Sequence, residues 1–454
     1  MAQEEISMKI KKNVIIIISV IVLLIVAMVA LTLFANKNEV PENASVQNEF
    51  TEDNLTQILN VQNPVKAFSV TDSSSSYNVV YEGGTWYSPE NANVFFDQGY
   101  VENLFNTACT LSAVLIEENT TDLIKYGLDN PSSVFEFKDE SGNTYSVKFG
   151  IQTPTKSGYY SALNDEKNVY VVSADNYNLL CGGINSLRNK NLISINPDDV
   201  YGVTIKKESG VITILPKTEN NPNAHSSTVW EMTSPYKRDV NQYIFEENVI
   251  KALDFTVADY IDDNPSDYSI YGLDTPKCTV VVDTYKGSYK ILFGNNKDGE
   301  SLYMQVSGLP NVYTIKKDSV KYIDYTPIYL MDSLVFSRMI NCVDSIDFNA
   351  GSSYTLKIDG TNFYMNGNSV DENLFREAYR ALIASVISGE VVEKAGNELC
   401  RFTFNYNTNT PSETVVFYEY GQLYAAVKVN GSMEFYVKRS YVDDMINAVN
   451  KLTE

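Results

Sequence analysis

The hexapeptide Tyr126-Gly127-Leu128-Asp129-Asn130-Pro131 returns 145 residues later as Tyr271-Gly272-Leu273-Asp274-Thr275-Pro276. A turn sequence repeated at a fixed offset means that one structural unit is built more than once along the chain. The match extends leftward at the same offset, with Glu117-Glu118-Asn119 and Asp122 lying over Asp262-Asp263-Asn264 and Asp267. The stretch therefore reads as a joint. Asn119 and Asn264 suit helix N-caps, Asp122 and Asp267 sit three residues on, and Pro265 occupies a position where a first helical turn tolerates proline. Gly127 and Gly272 would end that helix in the left-handed conformation, with Leu128 and Leu273 folding back as the apolar cap contact. Pro131 and Pro276 then exclude helix and start a strand. Chelation of a cation by the paired acids is the competing reading; capping accounts for Asn, Asp, Gly, Leu and Pro together, whereas a calcium loop needs more ligands at tighter spacing.

Ahead of the repeats, residues 1–13 form a polar start carrying Lys9, Lys11 and Lys12, and residues 14–34 contain no charged side chain. At about 1.5 Å per residue such a run crosses roughly 30 Å, one hydrocarbon core, so it is expected to be an uncleaved transmembrane helix contacting lipid. Three lysines before it against Lys37 after it put the amino terminus in the cytoplasm and the rest outside the membrane. Residues 35–62 are polar and acidic and are expected to be a tether. Three units follow, 63–195, 196–340 and a degenerate 341–454.

Each unit opens with alternating strands such as Val211-Ile212-Thr213-Ile214 or Tyr354-Thr355-Leu356-Lys357-Ile358. An aromatic strand comes next: Thr85-Trp86-Tyr87, Val229-Trp230-Glu231-Met232 or Asn362-Phe363-Tyr364-Met365, the only two tryptophans taking equivalent places. Amphipathic helices are expected over about 93–111, 241–255 and 371–387, the last with Leu374, Phe375, Ala378, Tyr379, Leu382 and Ile383 on its core stripe. After the joint, of which only Gly396 survives in the third unit, four strands repeat. They are 134–138, 144–149, 159–163 and 169–173 in the first unit; 279–283, 288–293, 302–306 and 312–316 in the second; and 402–406, 414–419, 423–429 and 433–438 in the third. Gly150 and Gly294 would end the second strand, and a closing helix would start near Ala174, Asp318 or Tyr441. The expected fold class is α+β, an N-terminal transmembrane helix followed by three tandem, mostly antiparallel α+β repeat units.

The chain resembles the bacterial family known as domain of unknown function 4340 (DUF4340) at Tyr-Gly-Leu-Asp-x-Pro, the Gly-ended strand, and Asn168-Val169-Tyr170 with Asn311-Val312-Tyr313. The resemblance runs from about Asn63 onward. It implies one N-terminal membrane helix and an extracytoplasmic accessory role beside ABC-transporter permeases or gliding-type subunits. It supplies no catalytic residues.

The chemistry points the same way. Lys plus Arg is 35 against 57 Asp plus Glu, a net charge of −22 that repels nucleic acid. The single histidine, His225, lies in a polar loop, which removes internally supported histidine triads and histidine-rich metal sites. Five scattered cysteines, Cys109, Cys181, Cys278, Cys342 and Cys400, read as buried thiols. Carboxylate pairs remain as the one enzymatic route, with Asp198-Asp199, Asp262-Asp263 and Asp443-Asp444 as candidates, each placed at an element boundary where Asp serves turns and caps. Asn295-Asn296-Lys297-Asp298-Gly299-Glu300 reads as a hairpin turn in preference to a calcium loop. The expectation is a non-enzymatic binding or scaffold protein with protein partners in an envelope or ABC-transporter-associated complex, with no catalytic, cofactor or metal residues. Its rivals are a carboxylate-based cell-wall glycan hydrolase and a substrate-capturing receptor.

Overall fold

The computed structural model describes residues 50–454, apart from 52–53, 74, 92, 165, 220, 222 and 225–227. The expected membrane segment 14–34 and the histidine at 225 lie outside the described residues. Among the described residues no helix is long and apolar enough to cross a membrane.

The described strands form three nine-stranded sheets, every pairing antiparallel, with a few short helices. The first sheet shows the plan. Strands Val65–Asp72, Ser76–Glu82 and Thr85–Tyr87 run up and down, and the four-strand meander Ser133–Asp139, Thr144–Gln152, Gly158–Leu163 and Val169–Ser173 is sewn to them by pairing of its first strand with Val65–Asp72. Between these two groups lie helix Gln98–Cys109 and strand Ser112–Glu117, which pairs with the far side of the meander at Val169–Ser173. The second and third sheets repeat this order.

The physical basis is alternation. Phe135, Phe137, Val147 and Phe149 point inward and are fully buried, as are Val280, Val282 and Ile291 in the second sheet and Phe402, Phe404 and Val415 in the third. One aromatic contact recurs in all three sheets, between the third strand and the helix that follows it. Trp86 stacks on Phe105 at 4.4 Å, Trp230 meets Phe245 edge-on at 5.1 Å, and Phe363 lies on Phe375 at 4.6 Å.

Several expectations are corrected. The strand after the helix was not foreseen in any unit; it is Ser112–Glu117, Asp259–Asp262 and Ile387–Glu390. Part of the stretch expected to be tether is strand Leu55–Gln57, paired with Ser112–Val114, and Leu59 beyond it is buried. The helices are shorter, and the second passes from α (Gln242–Phe245) through a π turn (Glu246–Ile250) to a 3-10 turn (Lys251–Leu253). In helix Glu372–Ile383 Leu374 is exposed, while Phe375, Ala378, Tyr379 and Leu382 are buried. The second meander strands run past Gly150 and Gly294 to Gln152 and Asn296, with a bulge at each glycine.

The chain divides into two compact bodies. Of the described residues, one body comprises 50–86 with Gly99–Gly183; the other comprises Tyr87–Gln98 with Ile184–Glu454. The second and third sheets thus share a body, and a continuous core runs through it from Ile193 to Leu452.

Candidate functional site

The repeated joint is where the recurring acids sit. Its C-terminal half forms as the sequence requires. Gly127 has φ +69° and its N–H donates to Ile124 O, while Leu128 N–H reaches back to Leu123 O; Gly272 (φ +68°) and Leu273 repeat both bonds onto Ser269 O and Tyr268 O. This is a Schellman cap, and Leu128 and Leu273 are buried beside it. A Cβ on Gly150 or Gly294 would fall well inside contact distance of the joint's own carbonyl, Tyr126 O or Tyr271 O. The bulge glycine and the joint are therefore one packed feature.

The N-terminal half differs from expectation. The helix is a single 3-10 turn, Ile124–Tyr126 or Ser269–Tyr271, because the unforeseen strand occupies residues up to Glu117 or Asp262. Asn119 and Asn264 are not N-caps: Asn119 has φ +53° and its N–H donates to Asn168 Oδ1, and Asn264 N–H donates to Asp262 Oδ1. Pro265 precedes the turn, and Asp267 is the residue that accepts from Ser269 N–H.

The acids bind groups of the protein. In the first joint Glu117 Oε2 accepts from Lys125 Nζ (2.7 Å) and Tyr126 OH (2.6 Å), and these bonds, Lys125's first, pull its carboxyl down to about 2. In the second, Asp262 accepts from Tyr271 OH at 3.0 Å. Its neighbour Asp263 takes a two-pronged bond from Arg188 (2.5 and 2.6 Å) and one from Asn311 Nδ2 (2.9 Å). The Arg188 side chain is only 8% exposed and lies 4.4 Å from the Tyr260 ring centre. Asn311 and Asp263 also hold Asn93 of the 87–98 segment, through Asn93 O and Asn93 Nδ2. In the third sheet no joint helix forms; Gly396 donates to Glu419 O.

The other candidate acids lie apart. Asp198 and Asp199 belong to the 3-10 turn Pro197–Asp199, capped by Asn196, and Asp199 accepts from Lys286 at 2.6 Å. Asp443 and Asp444 fall within helix Arg439–Asn450, away from the boundary expected for them, with Asp443 bonded to Arg439. The 295–300 segment is a hairpin turn in which Asp298 Oδ1 accepts from Glu300 and Ser301 N–H. Among the described residues no three His, Cys, Asp or Glu side chains gather as a metal site. Cys278 and Cys400 are buried, Cys109, Cys181 and Cys342 half-buried, and none of the five is in a disulfide; burial raises Cys181, Cys278 and Cys400 to about 12.

Sequence reasoning missed the buried arginines. A cleft of about 290 Å³ between the second and third sheets is lined by Lys217, Arg238, Asp239, Asp332, Arg338 and Glu413, among others. Arg338 forks onto Glu413 with two 2.6 Å bonds, and Lys217 meets Asp239 at 2.5 Å. Arg238 donates from Nη2 to Leu334 O and Val335 O and stands over the Phe435 ring. Only seven of the 35 basic residues are arginine, which is the available signal, since a buried fork needs a planar guanidinium.

The fold and these sites define a tandem-sheet repeat protein in which the Arg188–Asp263 and Arg338–Glu413 ion pairs join separate elements of the fold. Its sequence matches the family described as Domain of unknown function (DUF4340) over residues 86–227 and 230–389, so the chain belongs to that family. Each matched segment begins at the tryptophan strand, or at most a residue from it, and runs into the opening strands of the next sheet or its helix-following strand. Comparison with curated proteins and with solved structures gave no match.

Proposed function

We propose that this protein is a membrane-anchored, extracytoplasmic binding or scaffold subunit, an accessory of an envelope or ABC-transporter-associated complex. The observation that carries the reading is an exposed aliphatic side chain within each joint, though not at the same position of the repeat. Ile124 is 73% exposed in the first, Ile270 65% in the second, and Val392, in the segment that replaces the third joint turn, 84%. Such side chains offer a partner one apolar contact point on each of the three sheets. The engagement of Glu117, Asp262, Asp263, Asp199 and Asp443 by hydroxyl or basic groups supports their reading as structural residues over a hydrolase pair. The uncharged run 14–34, with its lysine asymmetry, supports the anchor and an outward orientation for the sheets.

The test is a crosslinked pull-down of the full chain from membranes, comparing wild type with Ile124→Ser/Ile270→Ser/Val392→Ser. The variant should melt like wild type and lose partner recovery at least fivefold. Unchanged recovery would overturn the joint-contact reading. For orientation, a cysteine placed at Asn43 should react with a membrane-impermeant maleimide on whole cells; labelling only after lysis would reverse the topology.

A further inference from the structure

The three sheets are internal controls for one another: a residue type that all three need belongs to the fold, and one that a single sheet carries does not. On the second sheet five lysines gather around two adjoining hollows. Lys206, Lys207, Lys277 and Lys290 line a groove of about 850 Å³, and Lys207, Lys277 and Lys317 rim a deeper pocket of about 310 Å³. Lys206 stands opposite Thr279, Thr279 opposite Leu292, and Lys290 lies two residues from Leu292 on the same face. Only Glu208, Asp274 and Asp324 oppose them along both hollows, in a chain whose net charge is −22.

Register identifies the equivalent positions. Cys278 faces Phe293 as Ser133 faces Phe149, each Phe preceding its bulge glycine. Lys206 and Lys207 then correspond to Thr71 and Asp72, Lys277 to Ser132, and Lys290 to Ser146. In the third sheet Asn349, Leu399 and Thr414 take the places of Lys206, Lys277 and Lys290. Lys206, Lys277 and Lys290 are therefore dispensable to the architecture. None of the five forms an ion pair with a carboxylate among the described residues; Lys207 Nζ donates to Tyr325 O, and Lys317 Nζ to Asp298 O and Gly299 O. Lys206, Lys277 and Lys290 are exposed.

We propose that this groove binds a phosphate-bearing anion, held by Lys206, Lys277 and Lys290 at the open end and by Lys207 and Lys317 at the pocket. Ammonium groups act as point charges on phosphate and do not demand the planar geometry of a guanidinium. The phosphate can belong to a free polyanion or to a lipid headgroup, and the two are separable. Binding of tripolyphosphate, and of mixed micelles containing an anionic phospholipid, is measured on the detergent-solubilised full chain by titration calorimetry. Lys206→Gln/Lys277→Gln/Lys290→Gln, which spares the two lysines holding backbone carbonyls, should weaken binding at least tenfold at unchanged melting temperature. Lys394→Gln/Lys438→Gln/Lys451→Gln, which removes the same charge from exposed sites elsewhere, should leave it within twofold. Saturable tripolyphosphate binding lost in the first variant assigns a free polyanion; binding confined to the anionic micelles and lost in that variant assigns a headgroup. Binding of neither probe, or equal loss in both variants, overturns the site.

Discussion

The first and second joints share backbone, cap and glycine, yet their acids do different work. In the first, Glu117 ties Lys125 and Tyr126 of its own turn at the surface. In the second, Asp262 keeps the tyrosine bond, while Asp263 reaches Arg188 and Asn311 and, with Asn311, fixes Asn93, residues far away in sequence. A duplicated joint thus preserves the local clamp that its fold needs and leaves the adjacent position open to long-range use. Asn168 and Asn311 show the same divergence: one accepts from Asn119 N–H, the other donates to Asn93 O and Asp263.

What the two joints have in common should be the most sensitive. Gly150→Ala and Gly294→Ala each drive a Cβ into a joint carbonyl, a backbone neighbour that cannot rotate away, and each should cost about 3 kcal/mol or more. Chemical denaturation of the full chain checks this, and a loss under 1 kcal/mol in both would mean that joint and bulge are not packed as one.

What differs should separate next. Asp263→Asn leaves a nearly buried guanidinium with a weakened partner and should lower stability by about 2 kcal/mol. Glu117→Gln, at an exposed pair, should leave the melt unchanged. Equal effects would erase the contrast between the joints. Gly127→Ala and Gly272→Ala should each cost about 1–2 kcal/mol, since both hold positive φ and a Cβ would crowd the Ile151 or Asn295 side chain at about 2.8 or 2.7 Å.

The smallest effect is on pH dependence. Burial alone would raise Asp263 and Glu413, but hydrogen bonds from Arg188 and Asn311 to one, and from Arg338 and Tyr406 to the other, outweigh it and hold both below the ordinary carboxylate range. A group lowered in the folded state contributes above its unfolded value and loses that contribution as pH falls through the folded one. The melting temperature of the body holding the second and third sheets should therefore be flat from about pH 7 to 5 and fall below about pH 4. In Asp263→Asn that fall should be shallower.

The meander strands were legible because inward Phe and Val alternate with polar residues, and the Schellman cap because Gly-Leu at a helix end has few other uses. The helix-following strand was not. Asp259-Tyr260-Ile261-Asp262 has two acids in four residues and becomes a strand only by pairing with Val312, Tyr313 and Thr314, some fifty residues on. That unseen pairing also explains the misplaced N-caps, since a segment already hydrogen-bonded into the sheet leaves room for one helical turn. Arg188, Arg238 and Arg338 sit in unremarkable local sequence; their partners Asp263, Leu334 and Glu413 come together only through the fold. The lysine groove was equally hidden, because it assembles three strands and the joint loop of one sheet.

Crosslinking mass spectrometry on the full chain in its native cells tests the central claim most directly, by mapping where partners touch. Contact through the joints predicts intermolecular crosslinks concentrated at Lys125 and at residues flanking Ile270 and Val392. Crosslinks that spare these turns and cluster instead around the cleft lined by Lys217 and Lys237 would contradict it.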